Sequence, residues 1–290
     1  MSSAARRLEL PRHEVVALHD GDFALDGGAM FGVVPRVVWE RLTPVNPDHT
    51  IPLATNPFLF RDGGHRVLVE PGIGRRWSDK ERAMFHVDHS GGRDVVESLA
   101  AAGVAADEVT HVLMTHGHWD HVGAVCDEEG RPRFPKAEHW IPEVELEAAL
   151  DPGHLRRASY RREDLQPLVD AGLLKTFRGE HEVLPGLRMV EVGGHSDGVS
   201  LVLLEDGGET ACFWADVVPT RNHVHLPFIM AYDQNAAKSF AVRREWITRA
   251  ADEGWWNLLY HDPVAPIGRF VRDAKGRFAF APLEGAEASA

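Results

Sequence analysis

The sequence predicts one layered α/β domain, and two observations point there. Short runs of apolar or β-branched residues, bounded by Gly and Asp turns, alternate with helix-like segments along the chain, without a solenoid-period repeat or a low-complexity linker. The 290 residues, 44% of them hydrophobic, are enough for one large core, so the domain is expected to span residues 1–290.

Taken in order, residues 1–12 are polar and read as loose. Strand-like runs follow at 14–18, 56–60 and 65–70. Residues 26–53 hold several Pro and Gly with weak periodicity and read as a long loop over one edge of the fold, a common place for function. Residues 95–103 predict a helix stopped by Gly103, and 110–115 a strand. A strand near 139–141 leads into the helix-like PEVELEAAL, with Pro142 suited to a first turn. The charged stretch 151–172 reads as helical. Strands resume at 187–192, 200–204 and 211–215, an amphipathic helix covers 236–253, and strand-like runs at 256–260 and 278–281 close the chain.

The net charge of −13 disfavours nucleic acid and anionic membrane surfaces as partners and leaves a small-molecule substrate as the expected one. Homo-oligomerisation stays open. Cys126 and Cys212, the only cysteines, make no disulfide framework and read as small buried hydrophobes. The N-terminal stretch has two arginines with no apolar run behind them, unlike a signal peptide, and no segment approaches the ~18 to 20 apolar residues that span a bilayer. The expected compartment is the cytoplasm.

Histidine is the unusual count, at 17. Four ligand-type residues crowd HVLMTHGHWDHVG: an apolar strand ends at Thr115 and releases His116, His118, Asp120 and His121. In extended chain His116, His118 and Asp120 face one side, and a bend can turn His121 inward. Imidazole suits Zn²⁺ and similar divalent ions, and carboxylate adds charge and a harder oxygen. Three further residues leave strand-like runs: His195 in VGGHSDGVS, Asp216 in FWADVVP and His261 in LLYHDPVAP. A carboxylate leaving a buried strand needs a partner.

THGHWDHVG resembles the His-x-His-x-Asp-His signature of the metallo-β-lactamase superfamily, and GGHSDG resembles that family's Gly-His-(Ser/Thr)-x-Gly segment. The Asp216 segment is similar to its Gly-Asp turn, with Ala215 in place of Gly. The resemblance runs from about Val15 to beyond His261. It implies a four-layer αββα sandwich with metals at one sheet edge. It assigns His116, His118 and His195 to one metal, Asp120, His121 and His261 to a second, and Asp216 to a bridge. The cofactors implied are two divalent ions, Zn²⁺ first, with Mn, Fe or Co as alternatives. A metal-bridging hydroxide would attack a carbonyl or phosphoryl centre while Asp120 shuttles the proton.

Among branches of the superfamily, Asp216 stands where common zinc β-lactamases carry Cys, which argues against antibiotic hydrolysis. Few residues follow His261, where glyoxalase II adds a helical C-terminal domain; the length leaves no room for the flavin domain of flavodiiron proteins; and the net charge disfavours the basic exosite that RNA phosphodiesterases need. A persulfide dioxygenase uses one iron on two histidines and an aspartate, and the full second-metal set argues against it. The chain most resembles N-acyl-homoserine lactonases and methyl-parathion-hydrolase-like enzymes. That implies a lactonase or small-ester hydrolase, with phosphotriester or aryl ester hydrolysis as the alternative. Met30, Phe31, Trp39, Phe228, Ile229 and Met230 are candidates for an apolar wall, Tyr232 for a catalytic hydrogen bond to the substrate, and His223 and His225 for rim residues.

Overall fold

The computed structural model describes residues 6–283. One seven-stranded sheet comprises, in spatial order, β1 (Arg7–Glu9), β2 (Glu14–Ala17), β5 (Phe58–Arg61), β6 (Arg66–Val69), β7 (His111–Leu113), β8 (Glu138–Pro142) and β9 (Leu174–Phe177). A second comprises β10 (Glu180–Leu184), β11 (Leu187–Glu191), β12 (Ser200–Asp206), β13 (Glu209–Phe213), β14 (Trp256–Leu258), β15 (Ile267–Arg272) and β16 (Phe278–Pro282). A separate hairpin joins β3 (Gly21–Asp26) to β4 (Thr50–Thr55).

The alternation of side chains along each strand sets the layers. Val15, Phe58, Phe60, Val67 and Val69 of the first sheet share a core with Leu201, Leu203, Phe213 and Leu258 of the second, and Phe58 meets Phe213 edge-on at 5.6 Å. Their neighbours Val16, Leu59 and Leu68 point the other way, into a core closed by Val95 and Leu99 of a helix at Val95–Ala101 and by Leu165 and Leu168 of one at Arg162–Asp170. The helix Ala236–Asp252 covers the second sheet and buries Ile247 and Ala250. Helices thus flank both faces of a sheet pair, the four-layer arrangement expected.

Three expectations need correction. Residues 26–53 are not one long loop: Asp26 pairs with Thr50 in the hairpin, and two short helices, Gly27–Phe31 and Arg36–Trp39, fill the connection. Pro52 masks the second strand in the sequence, yet a two-stranded hairpin tolerates it because every strand is an edge. The loose region shrinks too. Arg7–Glu9 pairs antiparallel with β2, and the backbone N–H groups of Arg12 and His13 donate to buried Asp206 at 2.7 and 3.0 Å. The rest of that expectation, for residues 1–5, lies outside the described residues. The stretch 151–172 divides into helices at Gly153–Arg156 and Arg162–Asp170. Among the described residues no helix is long and apolar enough to cross a membrane.

Candidate metal centre

Strands β6 to β9 run parallel, as do β13 and β14, so strand ends of both sheets gather on one side. His116 follows β7. His118 then sits at the start of a four-residue helix, Trp119–Val122, so Asp120 and His121 lie on its first turns and not in extended chain. His195 sits in the turn between β11 and β12, behind Gly193 and Gly194. Asp216 lies on a short turn after β13, where Ala215 takes φ 45, a left-handed conformation better suited to the Gly it replaces. His261 follows β14 by three residues.

These remote segments converge. His118 Nδ1 lies 3.1 Å from both His116 Nε2 and His195 Nε2. His261 Nε2 lies 3.2 Å from His121 Nε2 and 3.4 Å from Asp120 Oδ2. Asp216 stands between the groups: Oδ2 is 3.1 Å from His195 Nε2, while Oδ1 is 3.1 Å from His261 Nε2 and 3.4 Å from His121 Nε2. His116, His118, His195 and Asp216 form one buried ligand-type cluster, Asp120, His121, His261 and Asp216 form a second, and Glu70 meets His116 and His121 in a third.

The far nitrogens of His195 and His261 are held by hydrogen bonds, whereas that of His121 only approaches a carboxylate. His195 Nδ1 faces Asp233 Oδ1 at 3.0 Å, and His261 Nδ1 faces the Ala54 carbonyl at 2.9 Å. His121 Nδ1 lies 3.4 Å from Glu70 Oε1, the oxygen that also accepts from the Thr115 hydroxyl. Such contacts fix the tautomer and aim the opposite nitrogen inward. The Tyr260 hydroxyl donates to the Asp120 carbonyl at 2.7 Å, tying the strand end of His261 to the helix of Asp120.

The residues fit a pair of cations. Imidazole nitrogens aimed at one another at about the distance of a hydrogen bond leave lone pairs in opposition unless a cation or proton sits between. Asp216 Oδ1 is buried with no hydrogen-bond donor. Burial opposes charge on His195, yet Asp216 and Asp233 outweigh it and raise the imidazole to about 10. Burial opposes His121 too, and Asp120 and Asp216 raise it well above its ordinary value. His116 and His118 are held well below theirs, by burial and then by neighbouring imidazoles. A metal ion bound here would compete with protons for these ring nitrogens.

Beside this cluster opens a cavity of about 210 Å³, where His118, Asp120, His195, Asp216 and His261 form the polar floor. Its apolar wall is Leu25, Met30, Phe85, Trp119 and Met230, with Tyr232 alongside. Only Met30, Met230 and Tyr232 were expected there. Phe31 is fully buried behind the wall, stacked between Trp39 and His223 at centroid distances of 5.5 and 5.0 Å. Phe228 and His225 line a separate groove with Leu226 and Phe278, and Ile229 is not among the residues lining the cavity. His223 is no rim residue: it is buried, spans Thr220 Oγ1 at 2.8 Å and the Met30 carbonyl at 2.9 Å, and burial lowers it to about 4.

Residues 50–255 match the family model described as the metallo-beta-lactamase superfamily. The chain belongs to that superfamily. A probable metal-dependent hydrolase from Staphylococcus aureus superposes with a TM-score of 0.89 at 27% identity, covering 96% of this chain and 99% of that one. AidC, a dizinc quorum-quenching lactonase, shares the fold with a TM-score of 0.78 at 20% identity, covering 96% and 97%. An N-acyl homoserine lactonase of Bacillus thuringiensis is 28% identical over 111 residues, 38% of this chain, and the matched part spans 39% of that relative's length.

Sequence reasoning missed Leu25, Phe85 and Trp119 in the wall, and Glu70, Glu145 and Asp233 around this superfamily chain's histidines. Trp119 lies inside the His-x-His-x-Asp-His run and was legible by position. The others carry no local pattern that separates them from core or surface residues.

Proposed function

We propose that the chain is a dinuclear metal-dependent hydrolase that opens lactones or cleaves small esters bearing an apolar group. The observation that carries this reading is Asp216, whose two oxygens face two different histidine sets. His116, His118 and His195 would hold one ion, Asp120, His121 and His261 the other, with Asp216 between. Zinc is the first choice, by donor type and by likeness to the dizinc lactonase. Bound there, two divalent cations supply positive charge that activates water near neutral pH and polarises the substrate oxygen.

The chain's own residues do the rest. Asp120 borders the cavity floor, where its carboxylate can carry the proton from water to the departing oxygen. Tyr232 lines the same cavity, and burial, with Asp26 and Asp120 nearby, pushes its phenol up to about 12, so it stays a hydrogen-bond donor. Leu25, Met30 and Met230 offer an acyl chain a dry surface, and curated relatives that act as N-acyl homoserine lactonases support that substrate class. Phe85 and Trp119 suit an aromatic leaving group, which keeps aryl ester or phosphotriester hydrolysis as the second reading.

A panel of acyl lactones, aryl esters and phosphotriesters on zinc-loaded protein tests this. Lactones are expected to give the highest kcat/KM, with β-lactams inert. Turnover of phosphotriesters or aryl esters without lactones would replace the first reading with the second.

A further inference from the structure

Glu145 is a carboxylate in the wrong place for a surface helix. It lies on Glu143–Leu150 between two acids that face solvent, Glu143 and Glu147, both paired with Arg178. Glu145 instead is fully buried. A buried carboxylate is costly unless donors surround it, and three do: the Gly117 N–H at 3.1 Å and the Tyr160 hydroxyl at 2.9 Å on Oε2, and the Gly198 N–H at 2.7 Å on Oε1.

Those donors come from the two loops that carry one ion's histidines. Gly117 lies between His116 and His118, and Gly198 lies three residues after His195. Gly198 leaves no room for a side chain, and Gly117 leaves little. A Cβ on Gly198 would lie 2.4 Å from Val144 Cγ1, and one on Gly117 would lie 3.1 Å from Tyr160 Cε1. Tyr160 completes the bracket, its ring packing edge-on against His118 at 4.7 Å. Among the described residues, no hydrogen bond of Glu145 reaches Asp120, His121 or His261.

We infer that Glu145 is a positioning residue for the first site only: one carboxylate clamps the backbones of the His116–His118 and His195 loops and so sets how tightly that site holds its ion. This rests on the dinuclear reading above. Each carboxylate oxygen serves its own loop, so Glu145→Gln leaves one loop's N–H facing an amide NH₂.

The test is zinc affinity by competition with a chromophoric chelator, read one site at a time. In a His261→Ala background, Glu145→Gln is expected to weaken zinc binding about 10- to 100-fold, the usual cost of losing an outer partner. In a His118→Ala background it is expected to leave affinity within about twofold. In metal-free protein, the Gly117 and Gly198 amides should exchange hydrogen faster than in the unaltered chain. Should Glu145→Gln fail to fold by circular dichroism, Tyr160→Phe removes one donor and should weaken the first site about fivefold. Equal loss at both sites, or no loss at the first, overturns the inference. An unaltered protein that binds fewer than two ions instead overturns the dinuclear reading, and the exchange of the two glycine amides still tests the clamp.

Discussion

The cavity has two walls built on different principles. Its polar floor comes from residues that each follow a strand: His118 and Asp120 after β7, His195 after β11, Asp216 after β13 and His261 after β14. Its apolar wall comes from segments that share no such rule: Leu25 on β3, Met30 on a five-residue helix, Phe85 at a helix end, Trp119 inside the histidine run and Met230 in a loop. Sheet register places the floor, and second partners such as Asp233 and Ala54 orient its rings. The wall rests on the β3–β4 hairpin and its helical connection, outside both large sheets. The ligand-type residues are thereby tied to the two large sheets, and most of the apolar wall to segments beside them.

The contrast predicts large effects at the floor and graded ones at the wall. The largest should follow Asp216→Asn. An amide cannot face two cations, so kcat/KM should fall by more than the ~100-fold typical of outer partners, and Asp216→Glu should retain more activity. Equal, full turnover in both variants would mean that Asp216 is no bridge. Tyr232→Phe sits where floor meets wall. It should lower kcat about 10- to 1000-fold with metal content unchanged, the cost of one transition-state hydrogen bond. An unaffected rate would return Tyr232 to a packing role.

Smaller effects should separate the wall from what lies behind it. Along a series of acyl lactones, affinity should rise up to about fourfold per added methylene, from ~0.8 kcal/mol each, until the groove is full. Met30→Ala and Leu25→Ala should flatten that dependence. Phe228→Ala should leave it intact, because Phe228 belongs to the neighbouring groove. A flat series in the unaltered protein would deny the wall any part in binding.

The same contrast explains what could be read from the chain. His116, His118, Asp120 and His121 crowd into one short run after an apolar strand, a density of ligand atoms that packing alone does not explain. His195, Asp216 and His261 each follow a strand-like run, but singly they are unremarkable, and they were legible only through the first cluster and the family resemblance. The α/β class was legible from the succession of strand-like and helix-like runs, but the four layers came only with the family resemblance: pairs such as Val15–Val16 and Phe58–Leu59 are apolar on both faces and do not declare which core each side chain enters. The wall was not legible. Leu25 and Phe85 look like any core residues, and Phe31 and Phe228 seemed equal to Met30 until the hairpin fixed which side chains point inward. Glu145 was hidden differently. Between Glu143 and Glu147 it reads as one more solvent-facing acid, and only the approach of Gly117 and Gly198 shows why it is inside.

Metal stoichiometry tests the central claim most directly. Elemental analysis of the zinc-saturated, desalted protein should find close to two ions per chain, and the His261→Ala variant should keep about one. One ion per chain in the unaltered protein at saturation, or no loss on replacing His261, would contradict a dinuclear centre built on Asp216.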